Sequence, residues 1–150
     1  MADPWRIARC LGGTPTSGLL GEINRAAPNR NKASDGGIGD TRHARGKSEH
    51  NPCSCCDVVC ARDFTHDPKG GFDAEAFAEW LRGRVTADPP ERRVLYVIWR
   101  QRIFSGADVA RPAGVWRPYG GKNPHTKHVH VSIRHGADLY DDDAPWGWPP

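Results

Sequence analysis

The residues able to do chemistry in this 150-residue chain gather in two short blocks. The first, SEHNPCSCCDVVCARDFTHD, runs from Ser48 to Asp67 and holds two histidines, four cysteines and three aspartates in twenty residues. The second, KHVHVSI, runs from Lys127 to Ile133. Imidazole, thiolate and carboxylate are the common protein ligands of transition metals. Two kinds of site compete for them here. One is a closed structural zinc bound by cysteines. The other is an open His/Asp site with the cysteines as bystanders.

The H-x-H pair gives the geometry of the second kind. Residues at i and i+2 of a strand share a face and lie about 6.5–7 Å apart. His128, His130 and Ser132 then face one way, and Val129, Val131 and Ile133 the other. Taken alone, the pair reads rather as two histidines on a solvent face. Asp63 adds to it, because it ends the apolar segment VVCARDF, where an unpaired carboxylate is costly. His50 stands in the loop that leads into that segment. Together these residues supply imidazoles, one carboxylate and a spare base. Three protein ligands and an open position make a catalytic zinc site, whereas a structural zinc is closed by four.

Cys53, Cys55, Cys56 and Cys60 are spaced C-x-C-C-x₃-C. Adjacent cysteines in an extended chain point apart, and zinc cages usually unite two separated pairs. The spacing therefore counts against a four-cysteine cage and leaves a disulfide or ordinary thiols as the other readings. Five cysteines cannot all pair within the chain, which fits synthesis in a reducing compartment. Cys60 reads as a small buried hydrophobe. Asp67, in DFTHDP, is either a carboxylate that orients a ligand histidine or part of a turn before Pro68. Trp116, Arg117 and Tyr119 either line a substrate groove or anchor a loop, and the Tyr119 hydroxyl suits a carbonyl or oxyanion. His43 and His135 read as surface residues.

The elements that must position these residues follow from patterning. SGLLGEINRA predicts a helix with Ser17 as N-cap, ended by Pro28. Residues 28–49 are rich in Gly, Asn, Ser and Asp and read as a long loop. Val58 to Phe64 reads as a strand. FDAEAFAEWLRGRV predicts a helix capped by Asp73, with Phe72 stapled to Phe77. Its apolar face comprises Phe77, Trp80, Leu81 and the Arg84 stem, and Gly83 weakens its end. RRVLYVIWR is apolar on both faces and so reads as a central strand. RIFSG reads as a short strand after a tight turn, and a second long loop leads to KHVHVSI. The order predicts an α+β fold with a small, mainly antiparallel sheet and flanking helices. Residues 1–150 read as one domain, with 1–4 and 141–150 as termini or linker.

Composition narrows the function classes. The hydrophobic fraction is 37%, and Gly and Pro together make 30 residues, so a small core with much irregular backbone is expected. The net charge of +3 is mild. The arginines at 82, 84, 92, 93, 100 and 102 are scattered rather than gathered into a patch, which argues against nucleic acid and leaves room for weak attraction to an anionic wall. No apolar run approaches the roughly 20 residues of a membrane span. The start, MADPWRIARCLGG, lacks the apolar core of a signal peptide.

Taken together, Ser48-Glu49-His50, Ala61-Arg62-Asp63 and His128-Val129-His130 resemble the S-x-H, A-x-D, H-x-H pattern of the D-Ala-D-Ala carboxypeptidase, lysostaphin-type and murein endopeptidase group. That group shares its fold with the hedgehog signalling domain. LLGEINRAAPNRNKASDGGIGDTRHARGKSEHNP, ARDFTHDPKGGFD and WRPYGGKNPHTKHVHVSI look like the peptidase domain of actinobacteriophage endolysins, across residues 5 to 140. The resemblance implies a hedgehog/DD-peptidase-like fold with a Zn²⁺ site in a cleft on the sheet. It implies His50, Asp63 and His130 as ligands and His128 as the catalytic residue beside the metal. Many relatives carry a Glu base three positions before the last ligand; here that position is Lys127, so the base falls to His128, with His125 or Glu49 as alternatives. Arg42, Tyr119 and His125 are substrate or oxyanion candidates, together with Arg25 and Arg30. Twelve residues separate His50 from Asp63, more than in the family's short form, and CSCC lies within them.

The implied activity is cleavage of a peptide bond in peptidoglycan stem peptides by a monomeric phage endolysin domain. Such a chain is made in the host cytoplasm and reaches the wall after holin-type release. Two other readings compete. One is a wall-binding domain of the same fold that has lost catalysis. The other is a Cys/His zinc module for nucleic acid.

Overall fold

The structure, a computed structural model, describes residues 5–37, 50–52 and 57–150. In chain order the elements are β1 (Arg6–Ile7), α1 (Gly18–Ala26), β2 (Val58–Val59), β3 (Ala61–Thr65), α2 (Ala74–Val85), β4 (Val94–Trp99), β5 (Arg102–Ser105), β6 (Arg117–Pro118), β7 (His128–Ile133) and α3 (Ala137–Tyr140). Five strands lie side by side in the order β3-β7-β4-β5-β6, every neighbouring pair antiparallel. β1 and β2 form a separate parallel pair. The architecture is α+β with a small, mainly antiparallel sheet, and β4 is its central strand.

The segment read as one strand from Val58 divides at Cys60. Val58 and Val59 pair with Arg6 and Ile7, whereas Ala61 onward pairs with β7. The chain leaves one sheet for the other there, and the Cys60 carbonyl accepts from Ile133 N at 2.7 Å.

Alternation along the strands sorts the two faces. Phe64, Val97, Phe104, Val129, Val131 and Ile133 are fully buried in the core, together with Phe77, Ala78 and Leu81 of α2. The Asp73 carboxylate accepts from the N–H groups of Glu75 and Ala76 at the start of α2. The Phe72 and Phe77 rings lie 5.3 Å apart and fix the angle at which the chain enters the helix. Val85 completes the buried face that Arg84 was expected to extend, and the Arg84 side chain is exposed instead. Gly83 does not end the helix. Val85 is buried beyond it, and the Thr86 hydroxyl reaches the Arg82 and Gly83 carbonyls.

α1 starts where Ser17 predicts, but the Ser17 side chain caps nothing in the helix. Its hydroxyl bonds to Thr14 instead. The first helical residue, Gly18, sits at φ +57, and a Cβ there would come within 2.5 Å of Gly12 N. Only glycine fits such a position at little cost.

The β4–β5 hairpin turns on Arg100 and Gln101, both at positive φ, as a two-residue hairpin of matching twist requires. Residues 141–150 dock onto the core: Trp146 is buried, and the Trp148 ring lies against Phe72, Phe77 and Trp80. Among the described residues, no helix is long and apolar enough to cross a membrane.

Candidate metal centre

β7 lies between β3 and β4, which sets the site. In the register, Asp63 stands directly opposite His130, and Thr65 opposite His128. Asp63 is held from its other side as well, since its N–H donates to the Gly36 carbonyl at 2.7 Å. The Gly36 segment is in turn fixed by Asp35. That carboxylate accepts from Thr65 N at 2.8 Å, from Thr65 Oγ1 at 2.7 Å and from both terminal nitrogens of the buried Arg30.

Each ring has one nitrogen occupied outside the cluster. His50 Nδ1 lies 2.7 Å from the Gly37 carbonyl. A carbonyl only accepts, so Nδ1 carries a proton; Nε2 donates to Asp63 when the ring is protonated and offers its lone pair to an ion when the ring is neutral. That Nε2 lies 3.2 Å from Asp63 Oδ2. His130 Nε2 lies 2.7 Å from Ser132 Oγ, and Nδ1 lies 3.0 Å from Asp63 Oδ1. A carboxylate only accepts, so without an ion His130 Nδ1–H donates to Asp63 Oδ1 and the Ser132 hydroxyl donates to Nε2; an ion bound at Nδ1 would require Nε2–H to donate to Ser132 instead. The donor atoms of His50, Asp63 and His130 all lie within 4.8 Å of one another, so the set could hold a metal ion. The Tyr96 ring stacks on His130 at 5.6 Å and backs it.

Electrostatics agree with a cation-seeking cluster. Burial raises the Asp63 carboxyl, but the hydrogen bonds and charge of His130 and His50 outweigh it and hold the group well below the usual carboxylate range. Burial pulls His50 down, and the hydrogen bond and charge of Asp63 more than reverse this.

A second ring of side chains faces the first. Both ring nitrogens of His128 are buried without a hydrogen-bond partner. Its Nε2 lies 3.5 Å from Asp63 Oδ2 as a charge contact only, outside hydrogen-bond geometry. A buried imidazole of this kind is costly unless something polar enters the space beside it. His125 is locked at φ 55 by its surroundings. Its N–H donates to Asn123 Oδ1 at 2.9 Å, its carbonyl accepts from Arg100 N at 3.0 Å, and its Nδ1 lies 2.8 Å from the Asn123 carbonyl. Its Nε2 is left as an acceptor. Burial, then the neighbouring His130 and His128, push the His125 imidazole down to about 4. Burial likewise lowers His128, against the pull of Asp63. Both rings are neutral bases at neutral pH. The Tyr119 ring meets His125 edge-on at 5.7 Å.

The structure thus brings together His50, Asp63, His130, His128, His125 and Tyr119. Asp67 is not among them. Its oxygens accept from Asn31 N at 2.8 Å and Gly70 N at 3.1 Å, so it ties a turn to the loop before Asp35 and orients no ligand histidine. Arg30 is committed to Asp35 and Asn24, so it is not free for an oxyanion, and Arg25 is exposed on α1 with one nitrogen donating to the Thr16 carbonyl. Arg42, His43, Ser48, Glu49, Cys53, Cys55 and Cys56 lie outside the described residues. Cys60 and Cys10 are buried in the core. Among the described residues, the convergent donor groups consist of His and Asp alone. Sequence reading missed the supports from Asp35, Gly37 and Asn123, which act through a carboxylate, a backbone carbonyl and a side-chain amide with its own carbonyl. Ser132 was visible on the histidine face, but not as a partner of His130.

No curated protein and no solved structure matches the chain. The family model described as "VldE, C-terminal domain" matches residues 19–130, a span that opens in α1, takes in His50, Asp63, His125 and His128, and closes on His130. Covering most of the chain and the whole cluster, that match means that the chain belongs to the VldE C-terminal domain family.

Proposed function

We propose that the chain is a zinc-dependent peptidase that cleaves a peptide bond in bacterial peptidoglycan stem peptides, as the catalytic domain of a phage endolysin. The observation that carries this reading is the pairing of a two-histidine, one-aspartate donor set with neutral imidazoles beside it. Metal-dependent hydrolases divide the labour in that way between an ion and a base. His50 Nε2, Asp63 and His130 Nδ1 would hold the ion, their other atoms being occupied by Gly37 and Ser132. When bound, zinc supplies Lewis acidity toward a carbonyl and acidifies a water.

His128 is the base. It is neutral, adjoins Asp63 and has both nitrogens uncommitted, so it can take a proton from the attacking water and return it to the leaving amine. Lys127, at the position where many of the resembled peptidases carry Glu, is exposed, and its backbone carbonyl accepts from His66 N. His125 offers only an acceptor at neutral pH and so serves as a second base or a positioning residue. The hydroxyl of Tyr119 is the better donor to a developing oxyanion. Wall peptides suit the site as short extended segments, reached after holin-type release from the cytoplasm of the host.

The test is metal analysis of the purified chain, coupled to mass spectrometry of products from wall peptides. Bound zinc, hydrolysis lost in EDTA and hydrolysis restored by zinc are expected. Full hydrolysis by the His130→Ala protein would remove the ligand assignment. Stoichiometric zinc with no turnover on any wall preparation would favour the wall-binding reading instead.

A further inference from the structure

The register carries the histidine face across the whole sheet. His130 stands opposite Ile98, Ile98 opposite Ile103, and Ile103 opposite Arg117. Directly opposed residues of antiparallel strands point to the same face. Arg117 therefore ends a row that begins at Asp63 and His130. The helix α2 packs on the opposite face, where Trp116 meets Phe104. Tyr119, two residues beyond Arg117, returns to the histidine face and reaches His125.

Arg117 is half-buried at the edge of this row. Its guanidinium makes one hydrogen bond, from NH1 to Ser105 Oγ at 3.2 Å, and no described carboxylate pairs with it. The arginines on the other face of the same hairpin are arranged differently, since Arg100 and Arg102 both lie against Glu75. Elsewhere Arg30, Arg82, Arg92 and Arg93 each have a carboxylate partner. A guanidinium kept partly out of water with only a hydroxyl beside it leaves most of its donor fork for an anion.

We propose that Arg117 anchors a free carboxylate of the substrate, at the far end of a row that starts at the metal site. This rests on the peptidase reading and specifies its substrate. Three interstrand steps of about 4.8 Å separate His130 from Arg117, on the order of 14 Å. Extended peptide covers about 3.3 Å per residue, and the arginine side chain closes part of the gap, so the carboxylate belongs about three residues from the scissile bond. The peptide then lies across the strands, over Ile98 and Ile103. Stem peptides carry such carboxylates on γ-linked glutamate and on diaminopimelate, which distinguishes them from peptides whose acids are amidated.

The test uses two stem peptides that are identical except that one has a free carboxylate at this distance and the other a carboxamide. In both, the scissile amide is replaced by a methyleneamine, so that binding to the full-length chain is read by calorimetry without turnover. The carboxylate peptide is expected to bind about ten- to a hundredfold more tightly, the range for a charge-assisted pair. Arg117→Gln is expected to make the two peptides alike, and Arg117→Lys to keep part of the difference, since an ammonium lacks the planar fork. Equal affinities in the unaltered protein, no binding of either peptide, or a preference that survives Arg117→Gln each overturn the assignment. The first comparison needs no variant and stands even where Arg117→Gln fails to fold. Cleavage of the parent amide is scored separately. Preference without cleavage keeps Arg117 and removes the peptidase reading, and cleavage without preference does the reverse.

Discussion

At the scale of single residues, the cluster depends on which nitrogen of each ring is free. Gly37 decides this for His50, and for His130 the Ser132 hydroxyl can turn to accept from Nε2–H when an ion takes the place of the Nδ1 proton. Ser132→Ala would remove the acceptor that His130 Nε2–H needs when Nδ1 binds an ion. Metal affinity is expected to fall about 10–100-fold, the usual cost of losing a partner that orients a ligand, with the fold unchanged. Competition against a chromogenic chelator measures it, and unchanged affinity would show that the hydroxyl does not select the tautomer. Asn123→Ala removes the amide that fixes the His125 backbone N–H, although the Asn123 carbonyl remains. On the proposed peptidase reading a lower kcat is expected, with little change in metal affinity if the ion sits at His50, Asp63 and His130 rather than in the second close group of Asp63, His125 and His128. Unaltered kcat would leave His125 without a role in turnover. The histidines and Asp63 were legible as residue types and spacing. Their supports were not, because a backbone carbonyl such as that of Gly37 has no letter of its own in a sequence.

At the scale of elements, the segment from Arg30 to Gly37 acts as a brace between α1 and β3. Its centre is the Arg30–Asp35 pair at 2.7 Å, with the Arg30 side chain fully buried. Asp35→Asn would leave that guanidinium in the interior without its countercharge. A loss of about 3–5 kcal/mol is expected from denaturant unfolding, the usual result of breaking one side of a buried pair. A loss below about 1 kcal/mol would show that water reaches Arg30 easily. Burial raises the Asp35 carboxyl, but hydrogen bonds from Arg30 and Thr65 outweigh it and lower the group below 3.8. Its stabilising contribution is therefore complete above the unfolded value and is lost as pH falls through the lower folded one. Glu91 is lowered in the same sense by Arg93, against its own burial. Acid unfolding should steepen below about pH 4, and Asp35→Asn should flatten that part of the curve. The same segment marks the limit of sequence reading for elements. Strands β4 and β7, helix α2 and its Asp73 cap follow from periodicity and capping. The split at Cys60 does not, because the change of partner from β1 to β7 is tertiary and leaves VVCARDF looking like one strand.

At the scale of the whole molecule, the last ten residues lock the core. Trp146 donates through Nε1 to the Cys10 carbonyl at 2.8 Å, and its ring lies under Arg93 at 3.8 Å. The Glu22 carboxylate accepts from the N–H groups of Trp146, Gly147 and Trp148. Composition alone left this acidic, Pro-rich tail undecided between terminus and linker. It docks because α1 presents a buried carboxylate that needs donors and the tail supplies three N–H groups. Trp146→Ala is expected to cost about 3–5 kcal/mol, as for other large buried aromatics, and a thermal melt unchanged from that of the unaltered protein would show the docking to be incidental.

The place of β7 has a consequence for how the chain is made. During synthesis the hairpin of β4 and β5 and helix α2 leave the ribosome well before His128. Within the five-stranded sheet, β3 has a single neighbour, and that neighbour is the last strand to emerge. The nascent chain therefore carries both His50 and Asp63 for about 67 residues of translation, about 3–13 s at 5–20 residues per second, before His130 joins them. On the proposed reading of the site, capture of an ion by His50, Asp63 and His130 would be tied to completion of the sheet, and a ribosome-bound chain stalled before Lys127 should bind zinc no better than a chain lacking His130.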